Sequence, residues 1–497
     1  MKAGQGALFA AGVAALIGLA AGPGRSQTFA ATGKTAPQVV AETCSGCHGA
    51  DLSGGRAPNL RSAAFLSGHS DDQLRTIVAN GVPGTEMPAF KDMLSSEEIA
   101  RLVAFMRTPA KAKFEAPPYV ADPDGQVVHG RKQTFRVQVL ARGFEVPWGL
   151  AFLPDGRLLI TERRGALRII DRQGHLLPDP VAGTPRPWVR QDAGMLDVAV
   201  HSGWVYLAYT EAAPGYSGPV TATESPPSMT VLIRGKLDAH NRWGQTQELF
   251  RAPTALYTPS GSHYGTRFLF DGRGHVFFSL GDRGDMRNAQ RLDTPLGKIH
   301  RINEDGTVPR DNPFVGRPGA VPTIWSYGHR NPEGLAFDPR TGLLWESEHG
   351  PEGGDEINVI EKGHDYGWGV VSMGRQPGIT LQSAPGMDPP IAYYTPAIAP
   401  SGIAFYTGTR FPGWKNSLFV AGLVGQQLRR LEVNGRQIVS QEVVFNQFGR
   451  VRAIAQGPDG LLYLLLQAPT GRGTGILVSD PSPGIVVRLL PVTNNGN

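Results

Sequence analysis

The sequence predicts a mainly β protein: a six-bladed β-propeller preceded by a small all-α domain. Three observations carry this. A unit of apolar strand, Gly/Pro/Asp turn and second apolar strand recurs six times after residue 134. Glycine (64) and proline (41) are abundant among the 497 residues, which disfavours long helices. Ahead of the repeats lie two capped amphipathic helix patterns and one Cys-x-x-Cys-His string.

The chain opens with "MKAGQGALFAAGVAALIGLAAGPGRSQ". Lys2 supplies a positive start. The apolar stretch from Ala7 to Ala21 is short of the ~20 residues that span a bilayer. Residues 1–30 therefore read as a signal peptide, which implies export to the periplasm. No later segment is long and apolar enough to span, so no transmembrane span is expected in the mature chain. Net charge is +5 with no Lys/Arg block, so nucleic-acid binding is not expected.

Residues 35–108 form the small domain. Cys44 and Cys47 are the only cysteines, and His48 follows directly. A Cys-x-x-Cys disulfide would be redox-active rather than bracing. Zinc needs about four ligands, and no second cysteine pair exists. Covalent haem attachment uses all three residues: two thioethers to the porphyrin and an imidazole on the iron. It also fits export. Downstream, Ser70 caps a helix with Gln73 answering, and Ser95 caps another with Glu98 answering. Leu74, Ile77 and Val78 form one stripe; Ile99, Leu102, Val103 and Met106 form the other. Between them Met87 lies in the loop "GVPGTEMPAF", free to offer its thioether as the sixth iron ligand. Met93 is the alternative ligand, while Met106 belongs to a core stripe. With Cys44-Ser-Gly-Cys-His48 and the Met87-Pro88 loop, this stretch resembles class I cytochrome c domains. The resemblance implies an electron carrier whose haem iron has no open position.

Residues 109–133 mix Pro, Ala, Lys and Asp without periodicity and read as a linker. Residues 134–492 carry the repeats. They begin at Trp148, Gly194, Thr266, Glu333, Ser401 and Val451. A spacing of about 50 to 70 residues exceeds the ~40–45 of a compact four-stranded blade, so the surplus must form loops. A jelly roll or sandwich is the runner-up, but it does not explain the regular recurrence.

Polar residues gather beside the repeat strands. "GSHYGTRF" holds His263, and "SLGDRG" holds Asp282. "SYGHRNPEG" holds His329, Arg330 and Asn331. "SEHGPEGGDEIN" holds Gly350, Pro351, Asp355 and Glu356, and "FGRVRAI" holds Arg450 and Arg452. Singly, each reads as structural. Their shared place at strand ends puts them at one mouth of the ring.

Through "GHRNPEGLAFDP", "EHGPEGGDEIN" and "DYGWG", residues 137–490 resemble the glucose/sorbosone dehydrogenase family. Members are soluble aldose sugar dehydrogenases that use pyrroloquinoline quinone (PQQ) and calcium on a six-bladed propeller. The resemblance implies the following roles. His263 is the general base that takes the sugar hydroxyl proton, and imidazole suits that task near neutral pH. Asp282 orients it. Arg330 steadies charge on the quinone oxygen. Asn331, Arg450 and Arg452 hold the cofactor's carboxylates. The Gly350 and Pro351 carbonyls ligate the calcium at PQQ, and Glu356 with the Tyr366 carbonyl ligate a second calcium. Asp192, or Gln191 beside it, fills a position where relatives carry Gln. A cofactor-contacting Lys of some relatives aligns with Val424. An aromatic sugar platform aligns near Thr395, beside Tyr393 and Tyr394.

The expected function is periplasmic oxidation of an aldose-type sugar, with hydride passing to PQQ and electrons to the fused haem c. The downstream partner would be a one-electron acceptor such as a soluble cytochrome or a respiratory-chain component. The alternative is a calcium-dependent lactone hydrolase on a propeller, or a sugar-binding module with a haem sensor. Neither would use both a haem and carboxylate-gripping arginines.

Overall fold

The computed structural model describes residues 35–44, 48, 52, 57–58, 60–61, 63–83, 85, 87–107, 117–218, 226–470 and 482–492. The expected signal peptide and Cys47 lie outside them.

The N-terminal unit has helices at Ala36–Val39, Ala63–Ser67, Asp71–Asn80 and Ser96–Arg107, with a π-helical turn at Val40–Cys44. Both expected caps form. Ser70 Oγ accepts from the Gln73 amide at 3.2 Å, and Gln73 Oε1 accepts from the Ser70 amide at 2.7 Å. Ser95 and Glu98 exchange the same pair at 3.2 and 2.9 Å. Gly81 ends the first capped helix at φ 71°. A Cβ there would lie 2.5 Å from the Met87 carbonyl oxygen, so glycine lets the methionine loop fold back onto the helix. Val78, Ile99, Leu102 and Met106 form a small core, and Cys44 and Met87 pack against it.

The body is a six-bladed propeller of six antiparallel sheets. Blade 1 has three strands, at Pro147–Phe152, Leu158–Glu162 and Leu167–Ile170. The innermost strands of blades 2 to 5 are Met195–His201, Leu269–Phe270, Pro332–Phe337 and Pro400–Phe405. The six recurring units of the sequence are the inner strand pairs. Blade 6 begins with Arg450–Gln456, Leu462–Gln467 and Pro483–Pro491. It is completed by Thr134–Glu145, which arrives from the start of the body and pairs Val137 with Leu489 and Phe135 with Pro491. This strand closes the ring. Within the expected linker, Val127–His129 adds an edge strand beside it, pairing Val128 with Phe135. Edge strands need little apolar pattern, which is why composition alone reads as linker there.

One polar hub ties the blades together at the axis. Arg267 of blade 3 donates to Asp197 of blade 2 at 2.9 Å and to the Glu333 carbonyl of blade 4 at 2.9 Å. Its guanidinium also lies 4.4 Å from the ring centre of Trp148 in blade 1. The Glu333 carboxylate accepts from Ser401 of blade 5 at 2.9 Å and from Arg452 of blade 6 at 3.0 Å. Glycines in the inner strands allow this approach. A Cβ on Gly149 would sit 2.8 Å from Asp197 Oδ1, and one on Gly334 would sit 2.4 Å from the Ser401 carbonyl oxygen.

The two units touch at the outer strand of blade 5, Gln437–Phe445. Arg131 donates its backbone N–H to Glu442 at 3.1 Å and a guanidinium N–H to Thr43 Oγ1 at 3.1 Å. Thr43 precedes Cys44.

Glu333 is buried, and its carboxylate pairs with the buried guanidinium of Arg452. Glu333→Ala should cost about 3–5 kcal/mol, because it strands the buried Arg452 without its counter-charge and leaves Ser401 without its acceptor. A clearly lowered midpoint of thermal unfolding is the expected result.

Candidate active site at the mouth of the propeller

The site residues sit where inner strands begin and second strands end. His263 precedes the first strand of blade 3, and Asp282 follows its second strand, His275–Leu280. Arg330 and Asn331 immediately precede Pro332–Phe337. Gly350 and Pro351 follow Leu344–Glu348. Arg450 and Arg452 open blade 6. Hydrogen bonds join these ends into one rim. The Asp282 amide donates to the Arg330 carbonyl at 2.8 Å, and the Gly265 amide donates to Asn331 Oδ1 at 3.0 Å. Asn331 Nδ2 donates to Glu333 Oε1 at 3.1 Å.

His263 Nδ1 lies 2.7 Å from Asp282 Oδ1. A carboxylate only accepts, so Nδ1 carries the hydrogen and Nε2 presents its lone pair. Asp282 is 1% exposed and itself fixed. Trp368 Nε1 donates to its Oδ2 at 2.7 Å, and the Gly284 amide donates to its Oδ1 at 2.7 Å. His263 stands at φ 56°, a conformation unusual for a side chain of this size. Its amide points at Asp192 Oδ2, 3.4 Å away. Asp192 thus faces the His263 loop, while Gln191 packs on Gly261.

Arg330 donates to the His349 carbonyl at 3.1 Å and stacks over Trp368 with its guanidinium 5.3 Å from the ring centre. The Nε atoms of Arg330, Arg450 and Arg452 are buried and make no hydrogen bond. Burial, with Arg452 alongside, pulls the Arg450 guanidinium down to about 9. Burial also lowers Arg330 and Arg452. Buried N–H groups without hydrogen bonds are costly, and an anionic ligand at this mouth would satisfy them. A PQQ molecule, with its three carboxylates, fits that demand.

A second polar cluster lies beneath the Gly350 turn. Gly350 and Pro351 border a cavity of about 10 Å³ together with Arg330, Glu348, Glu356 and Tyr366. That is room for about one water-sized body. The turn is held by Asp355, whose carboxylate accepts from the amides of Gly350 (2.7 Å), Ile398 (2.5 Å) and Ala399 (2.6 Å). Asn358 Nδ2 reaches Glu346 (3.0 Å), Glu348 (3.4 Å) and Glu356 (3.3 Å) at once. His329, Glu346 and Glu348 offer ligand atoms all within 4.8 Å of one another. Burial, then the charge of Glu348, pushes Glu346 and Glu356 well above the ordinary carboxylate range. Glu346 Oε1 is buried with no partner. These oxygens suit a hard divalent cation such as calcium. The sequence reading named Glu356 and Tyr366 but not Glu346, Glu348 or Asn358. The Glu346-Ser347-Glu348 alternation in "LLWESEHG" is that of an ordinary solvent-facing strand.

Other expectations fall differently. Tyr394 is 1% exposed, and its hydroxyl bonds Gln441 at 3.3 Å. Tyr393 is buried too, so neither ring offers a face to a sugar. Val424 is 47% exposed and aliphatic, without the cationic contact of some relatives. In the N-terminal unit, His48 Nδ1 bonds the Pro58 carbonyl at 2.9 Å. That bond occupies Nδ1 and leaves Nε2 as the nitrogen that could ligate a metal, as in other imidazole ligands. The packing of Cys44 and Met87 on the same small core fits a haem there.

Comparison with known proteins agrees with this architecture. Residues 144–478 match the Glucose / Sorbosone dehydrogenase family, and residues 31–106 match the family described as Cytochrome C oxidase, cbb3-type, subunit III. Aldose sugar dehydrogenase YliI of Escherichia coli is 36% identical over 353 residues, covering 68% of this chain and 91% of that protein. The apo crystal structure of the soluble aldose sugar dehydrogenase from Escherichia coli superposes with a TM-score of 0.64 at 33% identity, covering 72% of this chain and all of that one (100%). The PQQ-bound form of aldose sugar dehydrogenase from Streptomyces coelicolor gives 0.55 at 28% identity, covering 72% and 98%. The chain is an oxidoreductase of the sugar-dehydrogenase class with an N-terminal cytochrome c domain. It belongs to the glucose/sorbosone dehydrogenase family.

If the acidic cluster holds calcium, a chelator should lower the thermal unfolding midpoint and added calcium should restore it. Glu348→Gln should blunt the restoration. A midpoint indifferent to both treatments would mean that no cation rests there.

Proposed function

We propose that the chain is a periplasmic quinohaemoprotein that oxidises an aldose-type sugar with PQQ and calcium and passes the electrons to its own haem c. The observation that carries this is the His263–Asp282 pair standing in one rim with buried guanidiniums whose Nε atoms make no hydrogen bond. When bound, PQQ supplies the two-electron acceptor for hydride and haem c a one-electron exit. The chain's own residues do the rest. His263 Nε2 takes the proton from the sugar hydroxyl, and Asp282 holds the imidazole in the correct tautomer and stabilises it once protonated. Arg330 steadies negative charge next to the reacting oxygen. Arg450 and Arg452 grip carboxylates with forked donors. Asn331 already spends its carbonyl on Gly265 and one N–H on Glu333, so it contributes at most its second N–H. The Gly350 and Pro351 carbonyls and the Glu346, Glu348 and Glu356 carboxylates are the calcium ligands. His48 and Met87 are the iron ligands, with Cys44 and Cys47 bonded to the porphyrin. The haem-bearing segment meets the propeller through Thr43 and Arg131, which keeps the electron acceptor at high local concentration. From there electrons pass to a soluble cytochrome or a respiratory-chain component.

Two outcomes are expected of protein loaded with PQQ and calcium. His263→Ala abolishes sugar oxidation while haem absorbance stays intact, and Asp282→Asn lowers kcat about a hundredfold or more. Calcium-dependent lactone hydrolysis without PQQ would instead favour a hydrolase.

Adding aldose should also produce the spectrum of reduced haem, and Arg131→Ala should slow that reduction without slowing reduction of an artificial dye. Haem that stays oxidised while the dye is reduced would sink the relay and leave the dehydrogenase standing.

A further inference from the structure

We propose that Arg283 is a positioning residue for the general base: its guanidinium grips the main chain just before His263 and the ring just after it, and so holds the imidazole at the sugar hydroxyl. This rests on the sugar-dehydrogenase reading above, in which His263 takes the proton, and deepens it.

The base stands on an unfavourable stretch of backbone. His263 has φ 56°, and Arg283 in the facing loop has φ 59°. Such conformations persist only where the surroundings impose them. The two loops also approach closely. A Cβ on Gly281 would lie 2.3 Å from the His263 carbonyl oxygen.

Arg283 supplies the hold. It is 2% exposed, and its donors fan out to two segments. Nε donates to the Ser262 carbonyl at 2.9 Å, and Nη2 donates to the Ser260 carbonyl. Nη1 donates to the Ser228 carbonyl at 2.8 Å, where the third strand of blade 2, Ser228–Leu237, begins. The guanidinium lies 3.5 Å from the ring centre of Tyr264. The Tyr264 hydroxyl in turn donates to the Ser260 carbonyl at 3.2 Å and lies 2.8 Å from Ser228 Oγ. One side chain thus ties the loop ahead of the base to blade 2 and to the Asp282 turn. A planar fork spans carbonyls of two segments that an ammonium nitrogen would have to reach from a single point.

The choice of residue is not explained by packing. Burial pulls the Arg283 guanidinium below its ordinary range, with Tyr264, Asp192 and Asp282 opposing. A buried cation is a costly brace where an apolar side chain would fill the space. Its place in the chain gives a reason. Asp282 and Arg283 are consecutive, and they reach the same histidine in two ways. Asp282 fixes the ring through Nδ1 at 2.7 Å, while Arg283 fixes the main chain that carries the ring. A base works only within hydrogen-bond reach of its proton, and a misplacement of about 1 Å can cost on the order of a hundredfold in rate.

The test uses the full chain loaded with PQQ and calcium. Arg283→Met keeps the stem and removes every donor, and Arg283→Lys keeps the charge and part of the hydrogen bonding. Calorimetric titration with PQQ counts the loaded sites and gives their affinity. Dye-coupled oxidation of D-glucose, D-galactose and D-xylose then gives KM and kcat per bound PQQ. Expected for Arg283→Met is a kcat about tenfold to a hundredfold lower, with PQQ affinity and KM within about threefold of the parent. Arg283→Lys should fall between the two. A merely structural role would give fewer loadable sites, each turning over at the parental rate. That result overturns the proposal, and so does a loss confined to KM or to PQQ affinity. Should the Met variant fail to load PQQ, the Lys variant carries the same comparison. A parent that oxidises none of the three aldoses sinks the dehydrogenase reading and this proposal with it. A parent that oxidises them no faster per bound PQQ than either variant sinks this proposal alone.

Discussion

The arrangement rests on a buried ionic hub at the axis of the ring. Trp148, Asp197, Arg267, Glu333, Ser401 and Arg452 come one from each blade and meet within hydrogen-bond or stacking distance. Buried charges tolerate little displacement, because losing one partner strands another in a poor dielectric. The hub therefore fixes the rotation of every blade about the axis. It also touches the site directly. Asn331 is held by Glu333, and Asn331 in turn holds the amide of Gly265, two residues after His263. Burial pushes Glu333 up, but His349, Arg452, Ser401 and Arg267 together keep its carboxyl below its usual range. Asp197 goes the other way, since burial outweighs Arg267 there.

Much of this was legible in the sequence, and the reasons differ by element. The inner two strands of each blade are buried on both faces, so they read as short apolar runs around a turn. The helix caps of the small domain are local, reciprocal and complete within four residues. What could not be read was long-range. Thr134–Glu145 pairs with Pro483–Pro491, and no pattern in either announces its partner. The hub was hidden because Glu333, Ser401 and Arg452 look singly like surface residues. One signal was available: glycine follows the hub residue in "WGLAF", "EGLAF" and "SGIAF", where neighbouring inner strands come close.

The site shows the same division. Residues inside continuous motifs, such as Arg330, Asn331, Gly350 and Glu356, could be named from the sequence. Glu346 and Glu348 could not, since an alternating Glu-Ser-Glu strand carries no sign that its charges point inward. The tyrosines beside Thr395 show another limit: the sequence does not reveal that the outer strand of blade 4 buries both Tyr393 and Tyr394.

The hub has a consequence for traffic. It stoppers the axial channel beneath the site with side chains that exclude water. Sugar and oxidised product must then share a single doorway, and departure of one precedes arrival of the next. Under the proposed relay, charge drawn from the sugar would be under no such restriction. It would leave sideways through the wall of the ring, toward the blade whose outer strand meets the segment ending in Cys44. Matter and electrons would then have separate exits.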